Sequence, residues 1–303
     1  MTKMFMLIGL PGSGKSTYAE KLKEEGVVIH SSDNIREELG DINDQSKNTE
    51  VFEILHQRIK NDLSNGKSVC YDATNLNRKR RKAFLQEIKY IPCKKIGVLV
   101  ATPFEKCCEQ NKNRTRQVPQ EVLDRMYRSF QMPSTYEGFD EVFAYYPNEE
   151  LEECYGNIGD FIISLLKFDQ ENSHHTLTLG KHMKKAGDYV FTRNGGKYDD
   201  LYFAAVLHDN GKPNTKSFFN SKGEVDIEAH YYSHHNCGSY NSLFFKYPPN
   251  VNKEYVALLI ELHMKPHMDW KLSKKAKEKD KKLFGDKVID DVMMIHDADI
   301  NAK

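Results

Sequence analysis

Residues 9–16 read Gly-Leu-Pro-Gly-Ser-Gly-Lys-Ser, directly after the apolar run Met4-Phe5-Met6-Leu7-Ile8 and directly before a helical pattern. No other string in the chain constrains the local fold so tightly. A strand has to end near Gly9, a loop of backbone N–H groups has to wrap an anion, and a helix has to start near Ser16. Gly9, Gly12, Ser13, Gly14, Lys15, Ser16 and Thr17 then form a cradle for the phosphates of ATP or another nucleoside triphosphate. Lys15 should reach the β/γ-phosphates and the Ser16 hydroxyl should ligate Mg²⁺.

A strand–loop–helix of this kind belongs to a parallel α/β sheet, and the surrounding pattern agrees. Strands are expected at 4–8, 27–30, 68–72 and 95–101, and helices at 16–25, 49–63, 78–89 and 104–112. A further helix opens at Pro119, where proline is tolerated, and runs to about residue 131. Residues 132–157 are rich in Pro, Gly, Tyr and acidic side chains and read as the boundary between two domains, 1–150 and 158–303. Beyond it helical periodicity dominates, interrupted by a short hairpin near 218–227 that turns at Lys222-Gly223. The expected architecture is an α/β P-loop domain followed by an all-α domain.

Composition narrows the setting. A 39% hydrophobic and 29% charged chain reads as soluble and globular, and no segment approaches the roughly 20 apolar residues that span a bilayer. Six cysteines form no CxxC pair, which suits a reduced cytoplasmic compartment. Net charge is zero, so any nucleic-acid partner has to be held by local basic patches. The lysine-rich stretch 271–282 reads most simply as a solvated helix face or loop.

Within the first half, Asp33 and Arg36 follow the second strand and so lie beside the phosphate loop. A carboxylate there can take the proton of an attacking hydroxyl, and Arg36 can hold an acceptor phosphate; the alternative is that Asp33 only caps a helix. Asp72 ends the third strand, either in the outer shell of Mg²⁺ or at the start of a turn. Five cations, Arg78 to Lys82, form a solvated face or a backbone-phosphate contact. Arg114 and Arg116 sit in a lid-like segment ahead of Pro119, where a guanidinium could clamp the transferring phosphoryl group.

Ten of the twelve histidines fall at or after position 174. His182, the adjacent His208-Asp209, His234, His263 and Asp299 recur at intervals suited to one ligand per helix of a bundle. His208 and Asp209 precede Asn210-Gly211, read as a helix stop, and Lys212 is placed to neutralise a phosphate. Imidazoles with carboxylates suit one or two divalent ions of the Mn, Fe, Ni, Co or Zn class, which polarise phosphoryl oxygens. His174 and His175 rival the first ligand, His267 rivals His263, and Asp297 rivals Asp299.

The order of GLPGSGKST, SSDNIR, DATNLNRKRR and RTRQVPQEVLDRMYRSF resembles the polynucleotide 5′-hydroxyl kinase family of P-loop phosphotransferases. That resemblance implies Asp33 as general base, Arg36 on the acceptor phosphate, and Arg114 as clamp, with Arg116 its rival. The H…HD…H…H…D series, with LHDNGKPNT and YYSHHNCG, resembles the HD phosphohydrolase superfamily; His235 stands where that pattern leads one to expect a glutamate. It implies one metal on His182, His208, Asp209 and Asp299 and a second on His234 and His263. Together the halves resemble bacterial fusions that heal nucleic-acid ends, RNA favoured over DNA, ahead of a ligase. The alternative is a small-metabolite or nucleotide kinase fused to an HD nucleotide phosphohydrolase. No membrane partner is expected.

Overall fold

A computed structural model describes residues 1–40, 46–114, 116–173 and 175–302. The chain divides into two compact units. The first comprises Met1–Asp124 with Pro133–Glu149, the second Arg125–Met132 with Glu150–Lys303.

The first unit runs β1 (Lys3–Ile8), α1 (Lys15–Glu24), β2 (Val28–Ser31), α2 (Ser32–Glu38), α3 (Asn48–Ser64), β3 (Val69–Asp72), α4 (Arg78–Glu87), β4 (Lys94–Val100), α5 (Phe104–Lys112), α6 (Gln120–Arg128, whose last residues fall in the second unit) and β5 (Glu141–Tyr145). Its sheet is wholly parallel in the order β2-β3-β1-β4-β5. Met4 to Ile8 are all buried, as a central strand covered on both faces requires. α3 buries Val51, Leu55, Ile59 and Leu63, a four-residue stripe on one face. Leu7, Asp72 and Ser31 share one register row across β1, β3 and β2. The carboxyl ends of these strands therefore level out just where the Gly9 loop begins.

One strand departs from expectation. β5 lies inside the stretch read as linker, adding a fifth parallel strand on β4, with Ala101 N–H donating to the Tyr145 carbonyl at 2.8 Å. All five of its residues are only half-buried, so neither a hydrophobic run nor a clean alternation marks it.

The second unit contains α7 (Ile158–Ser164), α8 (Leu179–Arg193), α9 (Asp200–Leu207), α10 (Lys212–Thr215), the hairpin β6 (Ser217–Phe219) and β7 (Val225–His230), α11 (His234–Asn241), α12 (Lys253–Leu262), α13 (Asp269–Leu272) and α14 (Lys274–Asn301). α9 packs on α8, α12 and α14, and α11 packs on α12. Ala204 to Leu207 are all buried, so α9 lies at the centre of this unit. Arg125–Met132 also packs here: the Met132 N–H donates to Glu261 at 2.8 Å and Tyr127 donates to Asn241 at 2.6 Å. Among the described residues no helix is long and apolar enough to cross a membrane.

Candidate active sites

In the first unit Gly14 is the N-cap of α1, in left-handed conformation, and Lys15 opens the helix. Ser16 and Thr17 follow, both exposed, with their backbone N–H groups in the positive first turn. Gly12 has φ 80, and Ser13 is buried beneath the loop. The Lys15 ammonium folds back on its own loop, donating to the Gly9 carbonyl at 3.0 Å and the Leu10 carbonyl at 2.8 Å. Burial lowers its pKa, partly offset by Asp72, while burial raises that of Asp72, partly offset by Lys15. The two groups thus balance each other at the loop. The charge of Arg114 acts on both.

The strand-end segment after β3 braces the loop. Gly9 N–H donates to the Thr74 carbonyl at 3.0 Å, and Asn75 donates to the Leu7 carbonyl at 2.8 Å. Asn75 holds φ 47, a conformation that Asn tolerates better than most residues.

Asp33 is not the cap of its helix. Ser31 is, accepting from the Asp33 N–H, which leaves the Asp33 carboxylate to other partners. Its Oδ1 accepts from Arg36 at 3.1 Å and from Arg116 at 2.6 Å. Arg36 is itself buried and donates to Asn48 at 2.6 Å. The lid arginines therefore divide: Arg116 sits on Asp33, and Arg114 acts on Lys15 and Asp72.

The five-cation run is not a uniform solvated face. Arg78 and Arg81 are buried against Glu137, whose carboxylate takes two 2.7 Å bonds from Arg81 and a 3.4 Å contact from Arg78. Only Lys79 and Arg80 point fully outward, with Lys82 between. The partner carboxylate lies 56 residues downstream of Arg81, beyond the reach of local sequence reading.

In the second unit the histidines converge. His182 and His208 bring their Nε2 atoms to 3.1 Å, and His234 and His263 theirs to 3.2 Å. Asp209 stands between the pairs. Its Oδ2 is 3.3 Å from His182 and 3.2 Å from His208, and its Oδ1 is 3.2 Å from His234. Asp299 Oδ1 adds a contact of 3.2 Å to His182. Two groups that could hold a metal ion result: His182, His208 and Asp299, and Asp209, His234 and His263. Asp209 was expected with the first group only; its two oxygens divide between both.

Each of these four rings directs Nδ1 at a backbone carbonyl: His208 at Ala205 (2.8 Å), His234 at Tyr231 (2.8 Å), His263 at Ile260 (2.6 Å) and His182 at Ala302 (3.3 Å). A carbonyl can only accept, so Nδ1 carries the proton and, in a neutral ring, every Nε2 offers a lone pair inward. Two lone pairs facing at 3.1–3.2 Å repel unless a cation or a proton lies between them. The donor set therefore fits a divalent cation. Burial lowers the His263 pKa, which favours its neutral, ligating form. Burial opposes ionisation of Asp209, yet a protonated His208 and Lys212 pull its pKa well below the usual carboxylate range, and a divalent cation would take the place of that proton.

Lys212 is buried and donates to Asp209 at 2.7 Å and to Gln170 at 2.7 Å, with His175 Nε2 at 3.0 Å. His175 is thus a partner of Lys212 and does not enter either donor group; His174 lies outside the described residues. His267 does not replace His263. It binds the outer oxygen of Asp299 at 2.9 Å and is followed by His296 at 3.0 Å. Asp297 enters neither group. Burial holds His235 near pKa 3, neutral against the rings of His234 and His263. α9 does stop ahead of Asn210-Gly211, at Leu207, although Gly211, with φ −83, is not in the left-handed conformation. Gly211 is needed because a Cβ there would lie 2.1 Å from the His234 carbonyl, so the chain after Asp209 can approach α11 only as glycine.

Comparison with known proteins bears on the first unit. Residues 4–133 match the AAA domain family (AAA_33), and the first unit is a kinase-type P-loop domain, with ATP and Mg²⁺ as the implied ligands. The L-seryl-tRNA(Sec) kinase of Methanococcus maripaludis is 27% identical over 143 residues, 45% of this chain and 56% of that protein. The chain thus spans just over half the length of this curated relative. A gluconokinase from Sinorhizobium meliloti 1021 is 16% identical, covering 48% of this chain and 82% of its own, with a TM-score of 0.36. A chain from the Pnkp1/Rnl/Hen1 RNA repair complex is 19% identical, covering 42% of this chain and 43% of its own, also at 0.36.

Proposed function

We propose that this chain phosphorylates 5′-hydroxyl ends of polynucleotides from ATP and removes 2′,3′-cyclic, 2′- or 3′-phosphate ends through a metal-dependent HD-type second domain. RNA is the favoured substrate and a nucleic acid ligase the natural successor. The observation that carries the reading is the Asp209 carboxylate between two facing imidazole pairs, in a chain whose other unit is a kinase-type P-loop domain. The curated relative is by name a kinase of an aminoacyl-tRNA, which favours an RNA-borne hydroxyl as acceptor over a free sugar.

On this reading Lys15 and Ser16 hold the triphosphate and Mg²⁺, with Asp72 in the outer shell. Asp33 takes the proton of the attacking hydroxyl, Arg36 holds the acceptor phosphate, and Arg114 clamps the transferring group. In the second unit His182, His208 and Asp299 would hold one divalent ion and His234 and His263 the other, with an oxygen of Asp209 facing each group. Such ions supply Lewis acidity toward a phosphoryl oxygen. Lys212, held by Gln170 and His175, neutralises phosphate charge beside Asp209.

The test uses two substrates with the full chain: labelled ATP with a 5′-hydroxyl oligoribonucleotide, and an oligoribonucleotide ending in a 2′,3′-cyclic phosphate. Lys15→Ala should abolish only the first reaction and Asp209→Ala only the second. Transfer to gluconate or free nucleosides but not to the oligonucleotide would overturn the kinase half. No release of phosphate and no opening of the cyclic ester, with Mn²⁺, Ni²⁺ or Co²⁺ supplied, would overturn the other.

A further inference from the structure

The lysine run at 271–282 is the solvated helix face expected of it, and its charge is concentrated. It holds seven lysines against Glu278 and Asp280, a net charge of +5 in twelve residues of a chain whose overall charge is zero. α14 is two helices joined at Gly285, whose φ of 81 and ψ of 169 are non-helical, and Lys274–Phe284 is the first of them. At about 100° per residue, Lys274, Lys275, Lys279, Lys281 and Lys282 fall within an arc of about 160°, shared only with Glu278. Every residue of that arc is exposed, while Ala276, Lys277, Asp280, Leu283 and Phe284, on the opposite arc, are partly or fully buried. Lys274, Lys275, Lys279 and Lys282 form no side-chain ion pair with a described residue. Lys281 pairs with Asp286 at 2.7 Å.

The opposite side of this helix is anchored to the segment that carries His267, a partner of Asp299 in the His/Asp cluster. Asp280 accepts from the indole of buried Trp270 at 2.9 Å, and Lys277 lies 5.7 Å from the same ring. Trp270 follows His267 by three residues, a reach of at most about 11 Å, and His267 binds Asp299. Like charges gathered on one face repel one another, and a polyanion can neutralise them along their whole length. A membrane surface fits poorly, because an interfacial helix needs an apolar face to insert, and here the apolar side is turned inward.

We infer that the Lys274–Lys282 face is a docking surface for the phosphate backbone of a single-stranded polynucleotide whose end enters the His/Asp cluster of the second unit. The inference rests on the phosphohydrolase reading of that cluster and adds the polynucleotide body as its recognised feature. It predicts that the cluster prefers the end of a strand to a mononucleotide carrying the same group.

Lys275, Lys279 and Lys282 form one stripe, and the full-length chain carrying Lys275→Ala, Lys279→Ala and Lys282→Ala tests it. A dye-labelled twelve-nucleotide single-stranded RNA is titrated by fluorescence anisotropy over a range of salt. The slope of log Kd against log salt should become shallower by about 2, since each phosphate no longer neutralised removes about 0.7. Over a fourfold change in salt that slope is worth about 20-fold, so kcat/KM for the oligonucleotide 2′,3′-cyclic end at low salt should fall at least about tenfold. A mononucleoside 2′,3′-cyclic phosphate should be processed by variant and parent alike. Replacing the same residues with arginine should preserve both behaviours. Equal losses on both substrates, or an unchanged salt slope, would overturn the surface while leaving the hydrolase reading intact. If neither substrate is processed the hydrolase reading falls, and the anisotropy slope alone then decides the surface. Binding of the parent to phosphatidylserine vesicles but not to RNA would also overturn it.

Discussion

Removing Glu137 should cost the first unit more than any other single polar change. Its carboxylate is fully buried, as is the Arg81 side chain it binds with two 2.7 Å bonds, and Arg78 leans on it at 3.4 Å. Glu137→Ala leaves two buried guanidinium groups short of their counter-charge, a loss of about 3–5 kcal/mol. In a unit of this size that lowers the melting temperature by about 10–15 °C. Glu137→Gln keeps the shape and one acceptor without the charge and should lose about half as much. The damage should reach the nucleotide site, because Arg81 also donates to the Asn75 carbonyl at 2.9 Å and Asn75 holds the Leu7 carbonyl ahead of the loop. Weaker ATP binding should therefore accompany the reduced stability. Far-UV circular dichroism follows both units, while Trp270, the only tryptophan, lies in the second and serves as an internal reference. The decisive comparison is Glu137→Ala made again in an Arg81→Met background. There the carboxylate is without its main partner, so its removal should cost far less. A loss below about 1 kcal/mol in the parent, typical of exposed pairs, or an equal loss in both backgrounds, would refute a desolvated ion pair.

Two further outcomes follow from the same geometry. Stripping divalent ions with a chelator should lower the melting of the second unit, and Mn²⁺ at about 100 times its Kd should restore about 2.7 kcal/mol; Asp209→Asn should remove that response, as calorimetry with and without metal would show. In the first unit, burial lowers the pKa values of His30 and His56 from 6.5 despite the carboxylates of Asp62 and Glu87. Between the folded values and 6.5 the unfolded chain binds more protons, so stability rises with pH across that window and is lost as pH falls below 6.5. Urea midpoints measured from pH 7.5 down to 5 should decline, and His30→Gln with His56→Gln should flatten the decline.

The parts legible in the sequence were those whose cause is local. The apolar run before Gly9 and the stripe of α3 report burial directly, and their elements fall within a residue or two of expectation. What escaped depended on distant partners. Arg78 and Arg81 look like solvent-facing cations until Glu137 is brought to them by the turn ahead of β5. β5 itself is an edge strand with no fully buried residue, so its pattern carries almost no signal. The choice between His263 and His267 depends on the rotation of the chain after α12, four residues apart and opposite in outcome. Histidine spacing could nominate both but could not orient either.

The same limit applied to Arg114 and Arg116, whose surroundings differ although spacing left them merged. Arg114 acts on Lys15, a like charge, and the carboxylates of Asp72 and, more weakly, Asp33 offset Lys15, while Arg36 and Arg116 already sit on Asp33. Such a surplus of positive charge at a phosphate loop is relieved by a polyphosphate, so Arg114 should contribute to nucleotide binding and to the transition state. Arg116 spends its 2.6 Å bond on Asp33, a partly exposed contact. Arg114→Ala should then lower kcat for phosphoryl transfer by about 10²–10³, the loss of one preorganised donor, and weaken ATP binding as well. Arg116→Ala should shift ATP affinity by no more than about fivefold, since an ion pair of that exposure is worth up to about 1 kcal/mol. Its effect should instead depend on Asp33: made on top of Asp33→Asn, it should change transfer much less than it does alone. Equilibrium ATP binding and single-turnover transfer on the four variants would check this. If Arg116→Ala proves the stronger disruptor of ATP binding, the two assignments are reversed and Arg116 leaves Asp33 for the phosphates when nucleotide arrives.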